Sequence, residues 1–127
     1  KYLVDLPGYG YAKVPQELQA HWQAFLDGYF GSRDALRGLV AVMDVRHPLK
    51  DYDRQMLGYA MRRALPAHVI LTKADKLSRG AAGNTLQAVR MELSRAYADS
   101  VSVQLFSGES RQGVDELRSV VAGWLAL

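Results

Sequence analysis

The chain has 127 residues, one domain's worth, and its 49% hydrophobic and 23% charged composition is that of a globular protein. It has no cysteine, which excludes disulfides and thiolate metal sites and fits a reducing cytoplasm. A net charge of +3 permits contact with RNA, and no apolar run approaches the roughly 18 residues of a membrane span.

The chain opens KYLVDLPGYGYAKVP. Residues 2–6 read as a short buried strand, without the basic start and apolar stretch of a signal peptide. Residues 15–29 read as a helix with Leu18, Trp22, Phe25, Leu26 and Tyr29 on one face, and Pro15 suits its first turn. Residues 39–43 (LVAVM) form a continuous apolar run ending in Asp44. Residues 53–65 are helix-like through Met56, Leu57, Ala60, Met61 and Ala64, with Pro66 as the stop. Residues 68–71 (HVIL) are a third strand ending at Thr72. The segment 78–83 (SRGAAG) reads as a flexible connection. Residues 84–97 are then helical, with Leu86, Val89, Leu93 and Tyr97 on one side. Residues 101–105 are a fourth strand. Residues 112–125 close the chain as a helix with Val114, Leu117, Val121, Trp124 and Leu125 inward. This β-α alternation predicts an α/β fold, a parallel sheet with helices on both faces, in a single unit without linkers or internal repeats.

In open parallel sheets, ligands bind beyond the carboxyl ends of the strands, so the segments just after the strands are where chemistry is expected. The first is Asp5-Leu6-Pro7-Gly8. An aspartate there can reach a Mg²⁺, and glycine lets a backbone N–H approach a terminal phosphate. The same residues also read as a capped strand end. The third is Thr72-Lys73-Ala74-Asp75. A carboxylate at Asp75 can accept from both the ring N–H and the exocyclic amine of guanine, a pattern adenine does not offer. The Lys73 stem can lie along the base with its ammonium on backbone oxygens, and Thr72 keeps a hydroxyl to tie neighbouring loops. A helix N-cap is the structural alternative. The fourth segment, Phe106-Ser107-Gly108, can present a backbone N–H to the guanine carbonyl. Arg46 and His47, after the second strand, can contact phosphate or RNA, or simply pack their own loop ahead of Pro48. Arg54, Arg62, Arg63, Arg90 and Arg95 fall on polar helix faces, as solvated surface or as an RNA-facing patch.

VDLPGYGYAKVP, DVRHPLKDYD, LTKADKLSR and FSGESRQGVDEL together resemble the EngB (YihA/YsxC) family of ribosome-biogenesis GTPases, across essentially the whole chain. The resemblance implies a Ras-like P-loop fold that binds GTP or GDP with Mg²⁺, resides in the cytoplasm and assists large ribosomal subunit assembly, with some members linked to cell division and septation. It implies that Asp5 serves Mg²⁺, Gly8 the γ-phosphate, and Thr72, Lys73, Asp75 and Ser107 the guanine, with Leu6, Pro7, Ala74, Phe106 and Gly108 completing the nucleotide loops. Tyr9 stands where Ras carries its water-orienting glutamine; a tyrosine lacks the paired carbonyl and amide, so no catalytic residue is assigned and slow intrinsic hydrolysis is expected. Tyr9 and Tyr11 read first as apolar anchors for that loop.

A P-loop, Gly-x-x-x-x-Gly-Lys-[Ser/Thr], occurs nowhere in the 127 residues. In the family it precedes the Asp-x-x-Gly loop, so the sequence reads as a G domain truncated at its N-terminus, lacking the strand between the 2–6 and 39–43 strands. The 127 residues alone are then expected to bind GTP weakly or not at all. The alternative reading is a non-catalytic α/β module that contacts RNA or protein through its basic helices.

Overall fold

A computed structural model describes residues 36–126, together with Ala24. The expected strand at 2–6, the expected helix at 15–29 and the candidate residues Asp5, Leu6, Pro7, Gly8 and Tyr9 lie outside the described residues.

Among the described residues three runs make the strands: β1 (Leu39–Asp44), β2 (Ala67–Thr72) and β3 (Val101–Leu105). They pair in parallel in the order β1-β2-β3. Leu39 stands opposite Ala67 and Asp44 opposite Thr72; Ala67 stands opposite Val101 and Leu71 opposite Leu105. β2, the middle strand of the three, is buried from Ala67 to Leu71, which is why it reads as an unbroken run rather than an alternation. Parallel neighbours need a crossover. Helix α1 (Asp51–Arg62) joins β1 to β2 and α2 (Arg79–Tyr97) joins β2 to β3.

Alternate residues of a strand share a face. Ala41, Met43, Val69, Leu71 and Val103 therefore form one buried surface, which packs with Leu57 and Ala60 of α1 and Val89 and Leu93 of α2. The opposite face carries His68, Ile70 and Gln104, all buried. The last helix, α3 (Val114–Leu125), starts beside this face, where Gly113 meets the Gln104 side chain. Its residues are partly covered rather than fully buried, and Trp124 lies so close to Gly38 that a Cβ there would overlap the indole. No described helix is long and apolar enough to cross a membrane.

Several boundaries differ from the sequence expectation, for local reasons. α1 starts at Asp51 because Asp53 reaches back to accept from the Lys50 N–H at 2.9 Å, and Asp51 and Asp53 both favour the positive end of the helix. It ends at Arg62, and Ala64 turns left-handed with φ 54°. Ala64 and the last-turn Met61 are consequently exposed, and Tyr59 is buried in their stead. The segment 78–83 is not a flexible connection but the start of α2. Ser78 is its N-cap, with Oγ accepting from the Ala81 N–H at 3.1 Å, and Ala82 is buried. That cap satisfies a free donor of the first turn and offsets the low helix propensity of Gly80 and Gly83. α3 starts at Val114, two residues later than expected, because Gly113 stands at φ 81°.

Candidate functional site

The segments that leave β1, β2 and β3 meet along one sheet edge. Leu71 of β2 accepts the Phe106 N–H at 2.9 Å, and Phe106 in turn accepts the Ala74 N–H at 3.0 Å. The Thr72 carbonyl accepts the Val45 N–H at 3.0 Å. Backbone bonds therefore hold the Thr72-Lys73-Ala74-Asp75 and Phe106-Ser107-Gly108 segments side by side. All seven of these candidate residues come together.

Asp75 sits in a short 3-10 turn, Ala74–Lys76, entered through Lys73 in a left-handed conformation, φ 60° and ψ 34°. A non-glycine residue there is uncommon, and this one turns the chain sharply off β2. Ala74 beneath the turn is buried. Asp75 Oδ1 accepts the Ser107 hydroxyl at 2.7 Å, and Asp75 Oδ2 lies 3.8 Å from the Lys76 ammonium. The Ser107 hydroxyl, then the backbone N–H of Asp75 itself and the Lys76 ammonium, hold the Asp75 carboxyl below its ordinary range. An ionised carboxylate has about four lone-pair sites, so the Ser107 bond leaves acceptor capacity facing solvent.

Ser107 is fully buried. Its N–H donates to the Gln112 carbonyl at 3.0 Å and its Oγ accepts the Ser110 N–H at 3.1 Å. These bonds fold the 106–112 loop onto itself. Gly108 beside it is exposed, and a Cβ there would meet nothing within 4 Å. Gly108 is thus an open position of the loop, which leaves its backbone approachable.

The Lys73 ammonium lies 3.7 Å from Asp44 Oδ2 at the end of β1, a carboxylate rather than the backbone oxygens expected. Asp44 is held more tightly by Arg46. The Arg46 backbone N–H donates to Oδ1 at 2.8 Å, Nε to Oδ1 at 3.0 Å and Nη2 to Oδ2 at 2.8 Å. This forked pairing keeps the Asp44 carboxyl well below the usual carboxylate range and the Arg46 guanidinium firmly protonated. The self-packed reading of that loop therefore holds for Arg46. His47 is exposed and its backbone N–H donates to the Asp44 carbonyl at 3.0 Å.

Among the arginines on the helices, Arg54 pairs with Glu92 at 3.3 Å and Arg95 with the same carboxylate at 3.8 Å. Arg63 lies over the Tyr59 ring, 5.6 Å from its centroid. Arg62 and Arg90 are exposed. Among the described residues no group of three His, Cys, Asp or Glu is placed to hold a metal ion. Asp5 lies outside them.

Sequence reasoning passed over Asp44 as a partner of Lys73, and the buried His68 and Gln104. A signal existed for each. Asp44 ends an apolar run in the sequence as Asp5 does, and His68 and Gln104 are polar residues inside largely apolar runs.

No protein-family model matches the chain. Curated relatives do. The chain is 72% identical over all 127 residues to the "Probable GTP-binding protein EngB" of Xanthomonas campestris pv. campestris strain 8004, covering 100% of this chain and 61% of the relative. It is 71% identical over 126 residues to the protein of the same name from Stenotrophomonas maltophilia, covering 99% of this chain and 63% of the relative. Among solved structures, it is similar to translation elongation factor SelB from Methanococcus maripaludis, solved with the GTP analogue GppNHp. The TM-score is 0.63 at 20% identity, covering 73% of this chain and 21% of the other. The apo form of the same factor aligns with a TM-score of 0.59, covering 68% of this chain and 20% of that one. The likeness is one of fold, an α/β, Ras-like parallel sheet with helices. The chain spans about three-fifths of the length of the curated relatives it matches, and over that span it belongs to the EngB family of GTP-binding proteins.

Proposed function

We propose that the cluster Thr72, Lys73, Ala74, Asp75, Phe106, Ser107 and Gly108 is the guanine-recognition half of a GTP-binding site. The observation that carries this is the Asp75 carboxylate, kept ionised and aimed by the buried Ser107 at 2.7 Å. Asp75 accepts from the guanine ring N–H and the 2-amine. The N–H of Gly108, the exposed residue of that loop segment, donates to the guanine carbonyl. Lys73, anchored by Asp44, lays its stem along the base. Adenine offers neither donor to Asp75 at that edge, so the site selects guanine.

The remaining roles rest on the family resemblance. Asp5 would hold Mg²⁺, which supplies charge neutralisation at the β- and γ-phosphates, and Gly8 would approach the γ-phosphate. The full-length protein, these residues together with the rest of the length its relatives have, would supply the P-loop and act as a GTPase switch in the cytoplasm. Water attack on the γ-phosphate would be slow until a partner engages, and that partner would be a precursor of the large ribosomal subunit. Links to cell division and septation rest on the same resemblance.

The test is base exchange. In the full-length protein, Asp75→Asn puts an N–H donor where guanine needs an acceptor. It should weaken mant-GDP binding roughly ten-fold or more and strengthen mant-XDP, whose C2 carbonyl accepts that donor. Unchanged GDP preference in a folded Asp75→Asn variant refutes the assignment. The 127 residues alone should bind mant-GTP weakly; affinity in the micromolar range or tighter overturns that part.

A further inference from the structure

His68 and Gln104 take no direct part in the site, yet they form a closed polar network beneath it. Each is 2% exposed. Gln104 Nε2 lies 3.1 Å from the Leu105 carbonyl and 2.8 Å from the Gly113 carbonyl. Carbonyl oxygens only accept, so this end is the NH₂ and both of its protons are used. Gln104 Oε1 must then accept, and it lies 2.7 Å from His68 Nε2, which carries the ring proton. In the neutral imidazole Nδ1 accepts, and the Ser102 hydroxyl at 2.6 Å donates to it. Geometry thus fixes the amide orientation and places a proton on His68 Nε2.

The two carbonyls that Gln104 grips are the two ends of the 106–112 loop. Leu105 precedes it and Gly113 comes directly after it. Ser107 is tied inside that pinch to Gln112 and Ser110, and reaches outward to Asp75. A loop free to open by an ångström would lose the 2.7 Å contact that aims Asp75, since hydrogen bonds weaken steeply beyond about 3.2 Å. We propose that Gln104, oriented by His68, is a positioning residue for guanine recognition, pinching the ends of the 106–112 loop so that Ser107 and the Gly108 backbone face the base. This rests on the guanine-site reading above and names what holds that site in register.

The test uses the full-length protein with two readouts. The first is preference for GDP over 6-thio-GDP, whose thiocarbonyl is a poorer acceptor for the loop N–H. Gln104→Met keeps the volume and removes the donors. It should narrow that preference roughly five-fold, the loss of about one neutral hydrogen bond. His68→Gln, which can keep an N–H near Oε1, should retain it. The second readout is amide hydrogen exchange without nucleotide: Ser107 and Gly108 should exchange faster in Gln104→Met while β2 keeps its protection. Should Gln104→Met not fold, Gln104→Glu serves, since a carboxylate accepts from His68 but cannot donate to the two carbonyls. A lower melting temperature with both the nucleotide preference and the loop exchange unchanged overturns the proposal and leaves Gln104 a core residue only. If Asp75→Asn keeps guanine preference, the guanine reading falls, and the exchange rates still decide whether Gln104 pinches the loop.

Discussion

Gly113 is the residue on which the loop's closure depends sterically, and Gly113→Ala is the sharpest probe of it. The backbone stands at φ 81°, and a Cβ there would overlap the Leu105 carbonyl oxygen and the Gln104 Nε2. Two costs combine. Placing an L side chain in the left-handed region costs about 1–2 kcal/mol. The overlap is with β3 backbone paired in register to β2, so it cannot relax by a side-chain rotation. Overpacking of that kind costs about 1–3 kcal/mol. Together the substitution should destabilise by about 2–5 kcal/mol, a drop of roughly 10 °C in melting temperature for a domain of this size. Circular dichroism at 222 nm during thermal unfolding reads the shift. Gly108→Ala is the internal control for stability, because a Cβ at that position meets open space; it should leave the melting temperature unchanged. If Gly113→Ala melts within about 2 °C of the parent, the pinch at Leu105, Gln104 and Gly113 does not exist as described.

Leu57 is fully buried in the core between α1 and the sheet, so Leu57→Ala should cost about 2–5 kcal/mol in urea unfolding, and a loss below about 1 kcal/mol would contradict that placement. Gly58 lies inside α1, where a Cβ would come no nearer than 3.4 Å to the flexible Arg62 guanidinium. Gly58→Ala should therefore stabilise by about 0.5–1 kcal/mol on helix propensity alone, seen as a higher urea midpoint. The acid limb of stability has a defined sign. Asp44 and Asp75 have folded-state pKa values below their unfolded ones, so their stabilisation is full above the unfolded carboxylate pKa of about 4 and is lost as pH falls below it. Asp53, pushed up by burial, acts oppositely and softens that loss. Removing the guanidinium with Arg46→Met should flatten the fall between about pH 5 and pH 2; an unchanged acid limb in that variant would show that Arg46 is not the cause.

The strands were legible because short, mostly apolar runs, LVAVM, HVIL and VSVQL, stand between helix-period stretches, and the middle one is buried on both faces. The candidate guanine residues were legible for a related reason. A parallel sheet with short connections brings the segments after its strands to one edge, so Thr72-Lys73-Ala74-Asp75 and Phe106-Ser107-Gly108 could be assigned as neighbours before their contacts were known. The start of α2 was hidden because glycines at 80 and 83 read as loop, and one serine hydroxyl bonded to the Ala81 N–H decides otherwise. The inward face of α1 was overextended because the 3.6-residue period carries no information about where the helix stops.

The amino-acid sequence by itself determined the α/β alternation, the sheet edge that carries the candidate site, and the residue types placed there, since those depend on local periodicity and on the polarity of each run. Only the tertiary structure decided that Ser107 aims Asp75, that Lys73 rests on Asp44, and that Gln104 closes the loop from below. Those contacts join residues 29 to 36 positions apart or bring together the two ends of a loop. Their distances are set by how β1, β2 and β3 stack in register, and no local pattern in the chain encodes that stacking.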